Sequence, residues 1–324
     1  MDLSIIIVNY NSKDYLKKCI DSILANTGGI SFEIIVVDSA SFDGCGEMLR
    51  NQYPGVRFIQ SSENIGFAKA NNLGAGHAAG KTLLFLNPDT EMHDPAIINL
   101  YGHFQRLSNI GVAGCRLVNT DGSLQTSCVQ PLPTISNQVL DAEIFQRWFP
   151  SFGIWRTAAS YEGRTDPVEV EALSGACLMI RREVFEQIGG FTADYFMYGE
   201  DMDLCQKTRC AGLKNFYVST AAIIHHGGGS STKGSTGYYD VMMRESISLF
   251  LHRYRGDGYR ACYRLALTAA ASFRLLMLLL LYPIWRSRGR SGEWYTAKGK
   301  WAAILRWGLG SAKPAPLPRT ANIS

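Results

Sequence analysis

Four short segments carry side chains whose types and spacing suit chemistry. Asp38 closes an apolar run and is followed by Ser-Ala-Ser-Phe and then Asp43-Gly44. A carboxylate there can accept hydrogen bonds from a nucleobase N–H or a ribose hydroxyl, whereas Asp43 can equally cap the next helix. Asn87-Pro88-Asp89 follows the apolar Leu83–Leu86 directly. A carboxylate stiffened by proline can hold a divalent cation against a diphosphate, because magnesium takes one or two protein carboxylates and fills its shell with phosphate oxygens and water. The plainer reading is an Asx turn that ends a strand. Glu200-Asp201-Met202-Asp203 opens a helical stretch after the aromatic segment Phe191–Tyr198. Three carboxylates there complement the helix dipole, and the aromatic residues can form an apolar wall that raises one carboxylate toward the range of a general base. Helix geometry turns Asp203 away from Asp201, so Asp203 reads as structural. His225 and His226 end an apolar run before Gly227-Gly228-Gly229. Strand alternation sends the two rings to opposite faces, each being a metal ligand or a plain hydrogen-bonding residue.

The elements that must position these groups are legible as alternating runs. Ser4–Val8 is β-branched and apolar, and after Asn9-Tyr10-Asn11 the hydroxyl of Ser12 can cap a helix in which Tyr15, Leu16, Cys19, Ile20, Ile23 and Leu24 share a face. Strands are predicted at Phe32–Val37, Val56–Gln60 and Thr82–Leu86, with helices near Glu47–Gln52 and through Phe67–Ala79. Fully apolar strands separated by helices belong to a mostly parallel sheet covered on both faces, whose ligands bind beyond the carboxyl ends of the strands. Tyr10, Asp38 and Asp89 stand at three such ends. Farther along, strands at Gly111–Leu117, Ala176–Ile180 and Ala221–His225 and helices at Glu183–Ile188 and Asp201–Cys210 are predicted, and from Tyr238 the pattern is helical.

Composition narrows the class. With 324 residues, 46% hydrophobic and 19% charged, the chain can bury a real core, and its 32 glycines and 11 prolines show no period. No G-x-G-x-x-G or G-x-x-x-x-G-K-[ST] follows a strand, which argues against dinucleotide dehydrogenases and P-loop phosphotransferases. Eight cysteines without a C-x-x-C pair and the absence of a basic leader give the expectation of a reduced, cytoplasmic protein. The net charge of +4 conceals an asymmetry, for residues 251–324 carry 13 Lys/Arg against Asp257 and Glu293, leaving a mildly acidic body. An anionic surface is the expected partner of that basic end.

Taken together, S-I-I-I-V-N-Y-N at 4–11, V-V-D-S-A-S-F-D-G at 36–44, N-I-G-F-A-K-A-N-N-L-G at 64–74, F-L-N-P-D-T at 85–90, S-G-A-C-L-M-I-R-R at 174–182, G-F-T-A-D-Y-F-M-Y-G-E-D-M-D-L-C at 190–205 and H-H-G-G-G-S at 225–230 resemble, in order, the inverting glycosyltransferases of family two. The rhamnosyltransferase-like branch of bacterial polysaccharide assembly is the most similar. The resemblance spans about residues 3–235 and implies the GT-A fold, an α/β architecture with a mostly parallel central sheet and helices on both faces. It further implies a glycosyltransferase domain at 1–235, with a donor half at about 1–115 and an acceptor half at about 116–235. A basic helical region at 236–311 and a loose tail at 312–324 complete the expected organisation.

Carried onto these residues, the resemblance implies that Tyr10, Asn11, Asp38 and Asp43 serve the donor's nucleoside and that Asn71 lies near its phosphates. Asp89 would bind the metal, Mg2+ or Mn2+, with Asn87 standing on the donor side where the stricter motif has an aspartate. Asp201 would be the catalytic base, Glu200 its neighbour and His225 a further metal ligand. The Q-x-x-R-W of processive synthases is missing, since Gln146-Arg147-Trp148 has the wrong spacing. The expected reaction is therefore a single inverting transfer, with L-rhamnose from dTDP-rhamnose as best donor and a lipid-linked saccharide as acceptor. A UDP-sugar donor, and a non-catalytic sugar-nucleotide-binding role, are the alternatives. No nucleic-acid partner is implied, and a homodimer is possible.

The tail suggests the inner face of a membrane. Leu275–Tyr282 is too short to span, and extension back to Leu265 would centre Arg274 in the bilayer at about 2.5–3.5 kcal/mol. An interfacial helix is expected instead, with Arg260, Arg264 and Arg274 at headgroups, further basic residues from Arg286 to Lys300, and Trp285, Trp294, Trp301 and Trp307 at the interface. Packing on the protein or on a second copy is the other reading.

Overall fold

The computed structural model describes residues 1–140, 157–227 and 236–311. Gln146-Arg147-Trp148, the motif residues Gly228–Ser230 and the tail expected to be loose from 312 lie outside these. The chain divides into two compact units. Of the described residues, the first holds 1–132, 157–196 and 200–227, and the second holds 133–140, 197–199 and 236–311.

The first unit begins with β1 (Leu3–Asn9), α1 (Lys13–Asn26), β2 (Phe32–Asp38), α2 (Cys45–Gln52), β3 (Arg57–Gln60), α3 (Gly66–Gly76) and β4 (Thr82–Leu86). Every residue of β1 and β4 is buried, which is what β-branched and leucine runs demand when helices cover both sheet faces. The chain continues through β5 (Thr90–Glu91), α4 (Ala96–Arg106), β6 (Ile110–Val118), β7 (Val129–Gln130), β8 (Val168–Val170), β9 (Ala172–Leu173), β10 (Cys177–Arg181), α6 (Arg182–Gln187), α7 (Glu200–Cys210) and β11 (Lys214–His225). A nine-stranded sheet runs β3-β2-β1-β4-β10-β6-β11-β5, with β8 added on β11. The pairs β3-β2, β2-β1, β1-β4 and β6-β11 are parallel, whereas β10 is antiparallel to both of its neighbours.

Three local expectations change. Ser12 does not cap α1, because its Oγ donates to Asn9 Oδ1 at 2.9 Å while the first helical N–H, of Lys13, reaches Asp43 Oδ2 at 2.9 Å. β11 begins seven residues before the predicted strand at Ala221, since a register shift opposite β6 between Val218 and Ala222 interrupts its alternation. Helix α4, not foreseen, buries Ala96, Ile97, Leu100 and Phe104.

The second unit contains α5 (Ile135–Leu140), α8 (Thr236–Ser287, broken at Gly256, φ 82°) and α9 (Ser291–Gly308). Helix α9 runs back along the second part of α8. Trp294 Nε1 donates to Leu278 O at 2.8 Å, and Trp307 packs on Tyr263 with its Nε1 on Glu245 Oε2 at 2.7 Å.

Candidate active site

Because β2, β1 and β4 are adjacent and parallel, their carboxyl ends bring Asp38, Asn9 and the 87–89 segment to one edge. Asp38 has no exposed surface. Its Oδ1 accepts from Asn9 Nδ2 at 2.7 Å and from Ser41 Oγ, and its Oδ2 from Ser41 N at 3.1 Å and Gln60 Nε2 at 2.6 Å. Asp43 accepts from the first N–H of two helices, Lys13 N and Cys45 N at 3.0 Å. It thus joins the starts of α1 and α2, the capping reading of this residue. Asp38, Asp43 and Cys45 bring potential ligand atoms within 4.8 Å of one another. The carboxylate oxygens also accept from the donors just named, Cys45 Sγ donates to Asp38 Oδ1 at 3.4 Å, and burial with two neighbouring carboxylates pushes the Cys45 thiol up. Hydrogen bonds hold the cluster together. Asn9, absent from the sequence-based candidates, is its hub; only an alternation argument placing its side chain beside Asp38 across the parallel pair could have found it.

Asn11 occupies the left-handed region at φ 52°, which asparagine tolerates, and Tyr10 before it is half-buried. Asn71 is 1% exposed, and its Nδ2 donates to Phe67 O, one turn earlier in α3, at 3.0 Å. Its neighbour Asn72 instead pins the aromatic segment, exchanging hydrogen bonds with Phe191 O at 2.8 Å and Phe191 N at 2.9 Å.

Asp89 and His225 meet across the β5-β11 pairing. His225 Nε2 lies 3.3 Å from Asp89 Oδ1 and 3.4 Å from Asn87 Nδ2, and His226 N donates to Asp89 O at 2.9 Å. An imidazole nitrogen and a carboxylate oxygen converging at this separation suit one shared cation, so these residues fit a divalent metal. His226 points elsewhere, to Glu91 Oε2 at 3.1 Å, as alternation requires.

The catalytic-base candidates sit at the start of α7. Gly175 N donates to Asp201 Oδ2 at 2.9 Å, and Met202 N to Asp201 Oδ1 at 2.8 Å. The next residue of the same turn, Ala176, accepts from Asn87 N at 3.0 Å. One turn thus holds the Asp201 carboxylate on one side and the Asn87-Asp89 segment on the other. Glu200 is 6% exposed and its Oε2 has no hydrogen-bond partner. Burial, followed by the adjacent Asp201 charge, pushes the Glu200 carboxyl up to about 8. Burial also raises Asp201, opposed by its backbone N–H donors. Asp203 has no exposed surface and accepts from Thr192 Oγ1 at 2.6 Å, the structural role anticipated for it.

The Glycosyl transferase family 2 model matches residues 4–189, and a model described as the N-terminal domain of galactosyltransferase matches 163–227. The chain is 29% identical over 302 residues, 89% of its length and 96% of the relative's, to the N-acetylglucosaminyl-diphospho-decaprenol L-rhamnosyltransferase of Mycobacterium tuberculosis (strain CDC 1551 / Oshkosh). It is 26% identical to Rhamnosyltransferase WbbL of Escherichia coli (strain K12), over 68% of this chain and 82% of that one. The mannosyltransferase PcManGT from Pyrobaculum calidifontis, solved with GDP-Man and Mn2+, shares the fold at TM-score 0.58 and 17% identity, over 95% of this chain and 86% of that one.

Proposed function

The chain belongs to glycosyltransferase family 2, and from that premise we propose that it is an inverting, metal-dependent, single-addition transferase that moves L-rhamnose from dTDP-rhamnose onto a lipid-linked saccharide. The observation that carries the reading is the turn at Gly175-Ala176, which ties a backbone-held carboxylate, Asp201, to the segment bearing Asp89. Asp201 takes the proton from the acceptor hydroxyl as that oxygen attacks the anomeric carbon and the nucleoside diphosphate leaves. Asp89 and His225 would hold the cation, which when bound supplies charge neutralisation for the departing diphosphate. Gln60 Nε2 occupies the place on Asp38 that a nucleobase N–H would take, so a base contact there requires this exposed amide to move aside. The donor and acceptor classes are supported by what the mycobacterial and enteric relatives are named for.

The test is transfer from a panel of dTDP-, UDP- and GDP-sugars to a polyprenyl-diphosphate-linked acceptor, with Mg2+, Mn2+ or chelator. Metal-dependent transfer from dTDP-rhamnose, lost in Asp89→Ala, is the expected result. Near wild-type transfer by Asp89→Ala in chelator would overturn the metal assignment, and preference for a UDP-sugar would overturn the donor.

The reading extends to the cytoplasmic face of a membrane. Leu265, Phe273, Leu276, Leu280 and Ile284 are 71%, 63%, 53%, 65% and 47% exposed, at a spacing that puts them along one side of α8. The helix is also long and apolar enough to cross a bilayer. An interfacial placement keeps this stripe in the acyl boundary while exposed Arg286 and Arg288 reach headgroups. The partition of the other basic and aromatic residues differs from expectation. Arg264 donates to Trp307 O at 2.8 Å, Arg260 to Ser248 Oγ at 3.0 Å, and Arg274 to Val139 O at 3.1 Å while stacking on Trp301. Trp294 and Trp307 are buried between the helices, so these groups hold the unit together.

A further inference from the structure

Gln125 grips His225 at two points from a position one hundred residues earlier in the chain. Its Nε2 lies 2.6 Å from His225 O and 2.8 Å from Asn119 Oδ1, and its Oε1 lies 2.8 Å from His225 Nδ1. An amide's two ends are told apart by their partners. Here a main-chain carbonyl decides the matter: it can only accept, so the amide end facing it is the NH2. The other end is then the acceptor oxygen, which requires a hydrogen on His225 Nδ1. A neutral imidazole protonated at Nδ1 carries its lone pair on Nε2, the nitrogen that faces Asp89 Oδ1 at 3.3 Å. Nε2 also faces Asn87 Nδ2 at 3.4 Å, a long amide contact that a cation shared with Asp89 Oδ1 would replace.

The grip is itself held in place. Gln125 N donates to Leu117 O at 2.9 Å, and the intervening turn is closed by Asn119 N on Ser123 O at 2.8 Å and Asn119 Nδ2 on Ser123 Oγ at 2.8 Å. The amide is therefore fixed before any ligand arrives.

We infer that Gln125 is a positioning residue that locks His225 in its Nδ1–H tautomer and so aims Nε2, as a ligating nitrogen, at the cation shared with Asp89. The inference rests on the reading of Asp89 and His225 as the cation-holding pair. Metal-bound histidines commonly have the second nitrogen fixed by such a partner, and loss of that partner typically costs about 10–100-fold in metal affinity.

The experiment uses the full chain labelled with 15N-histidine and kept metal-free, with the His225 ring signals identified by their loss in His225→Asn. Wild type is expected to show a proton on Nδ1 and none on Nε2, and Gln125→Met to lose that preference with the circular dichroism spectrum unchanged. Mn2+ affinity, read by electron paramagnetic resonance with and without dTDP, is expected to fall about 10–100-fold in Gln125→Met. A wild-type proton on Nε2, an unchanged tautomer in Gln125→Met, or an unchanged Mn2+ affinity despite a changed tautomer overturns the inference while leaving the cation reading standing. A wild-type protein that takes up no Mn2+ under either condition overturns the cation reading itself.

Discussion

At the scale of single residues, the two adjacent carboxylates of α7 are separated by what hydrogen-bonds to them. Asp201 receives Gly175 N–H and Met202 N–H, whereas Glu200 Oε2 receives nothing. Asp201 therefore ionises first and Glu200 keeps the proton. Asp201→Asn is expected to retain the fold and donor affinity while transfer falls about 10²–10⁴-fold, the usual worth of a general base. A loss under about tenfold in a single-turnover assay would move the base to Glu200. Glu200→Gln tests the division by stability. The Glu200 carboxyl is raised from 4.5 to about 8 in the folded chain, so between those values the unfolded chain gives up a proton that the folded one retains. Wild-type stability should decline as pH rises through this window, by up to about 1.4 kcal/mol per pH unit, and the decline should be smaller in Glu200→Gln. Equal slopes in urea titrations from pH 5 to 8 would remove Glu200 as the buried proton carrier.

At the scale of elements, the start of α3 fastens the loop that leads into α7. Phe67 N donates to Phe196 O at 2.9 Å, and Gly66 sits at φ +79° where a Cβ would lie 2.5 Å from that same carbonyl oxygen. No other residue type can adopt this backbone without moving Phe196. Gly66→Ala is expected to cost about 1–3 kcal/mol and to lower turnover more than thermal stability alone explains, because the displaced segment ends at Glu200. A variant with a wild-type melting temperature and turnover would show that the approach is not required. The asparagine pair shows how neighbours on a helix take different partners. Asn71 and Asn72 are adjacent in sequence, yet 100° of rotation buries one in α3 and turns the other to Phe191.

At the scale of the whole molecule, charge and apolar surface are concentrated toward the C-terminal end. Thirteen Lys/Arg stand against two acidic residues beyond position 250, and the exposed stripe on α8 falls within the same stretch. Paired Leu276→Glu and Leu280→Glu substitutions on the exposed side should leave the fold intact and abolish flotation with anionic liposomes. Wild-type binding should also weaken at high salt, because the basic residues contribute about 1 kcal/mol each near such a surface. Wild-type protein that stays in the soluble fraction at low salt would leave the stripe to a second copy of the chain, which sedimentation of the same variants would reveal.

What the amino-acid sequence determined by itself was local and ordered: which runs are buried strands, that they alternate with helices, and that Asp38, Asp89 and Asp201 follow apolar elements in a fixed succession. Strand burial and helix periodicity depend on neighbours a few residues away, so one chain suffices to read them. The pairing of elements distant in sequence was decided only in three dimensions. The antiparallel β10 between β4 and β6, the alignment of β11 with β5 that joins His225 to Asp89, and the reach of Gln125 across one hundred residues all depend on register and sheet order. The partners of Asp43, Asn71 and Arg274 were likewise set in three dimensions, because tertiary packing alone chooses the group a polar side chain hydrogen-bonds.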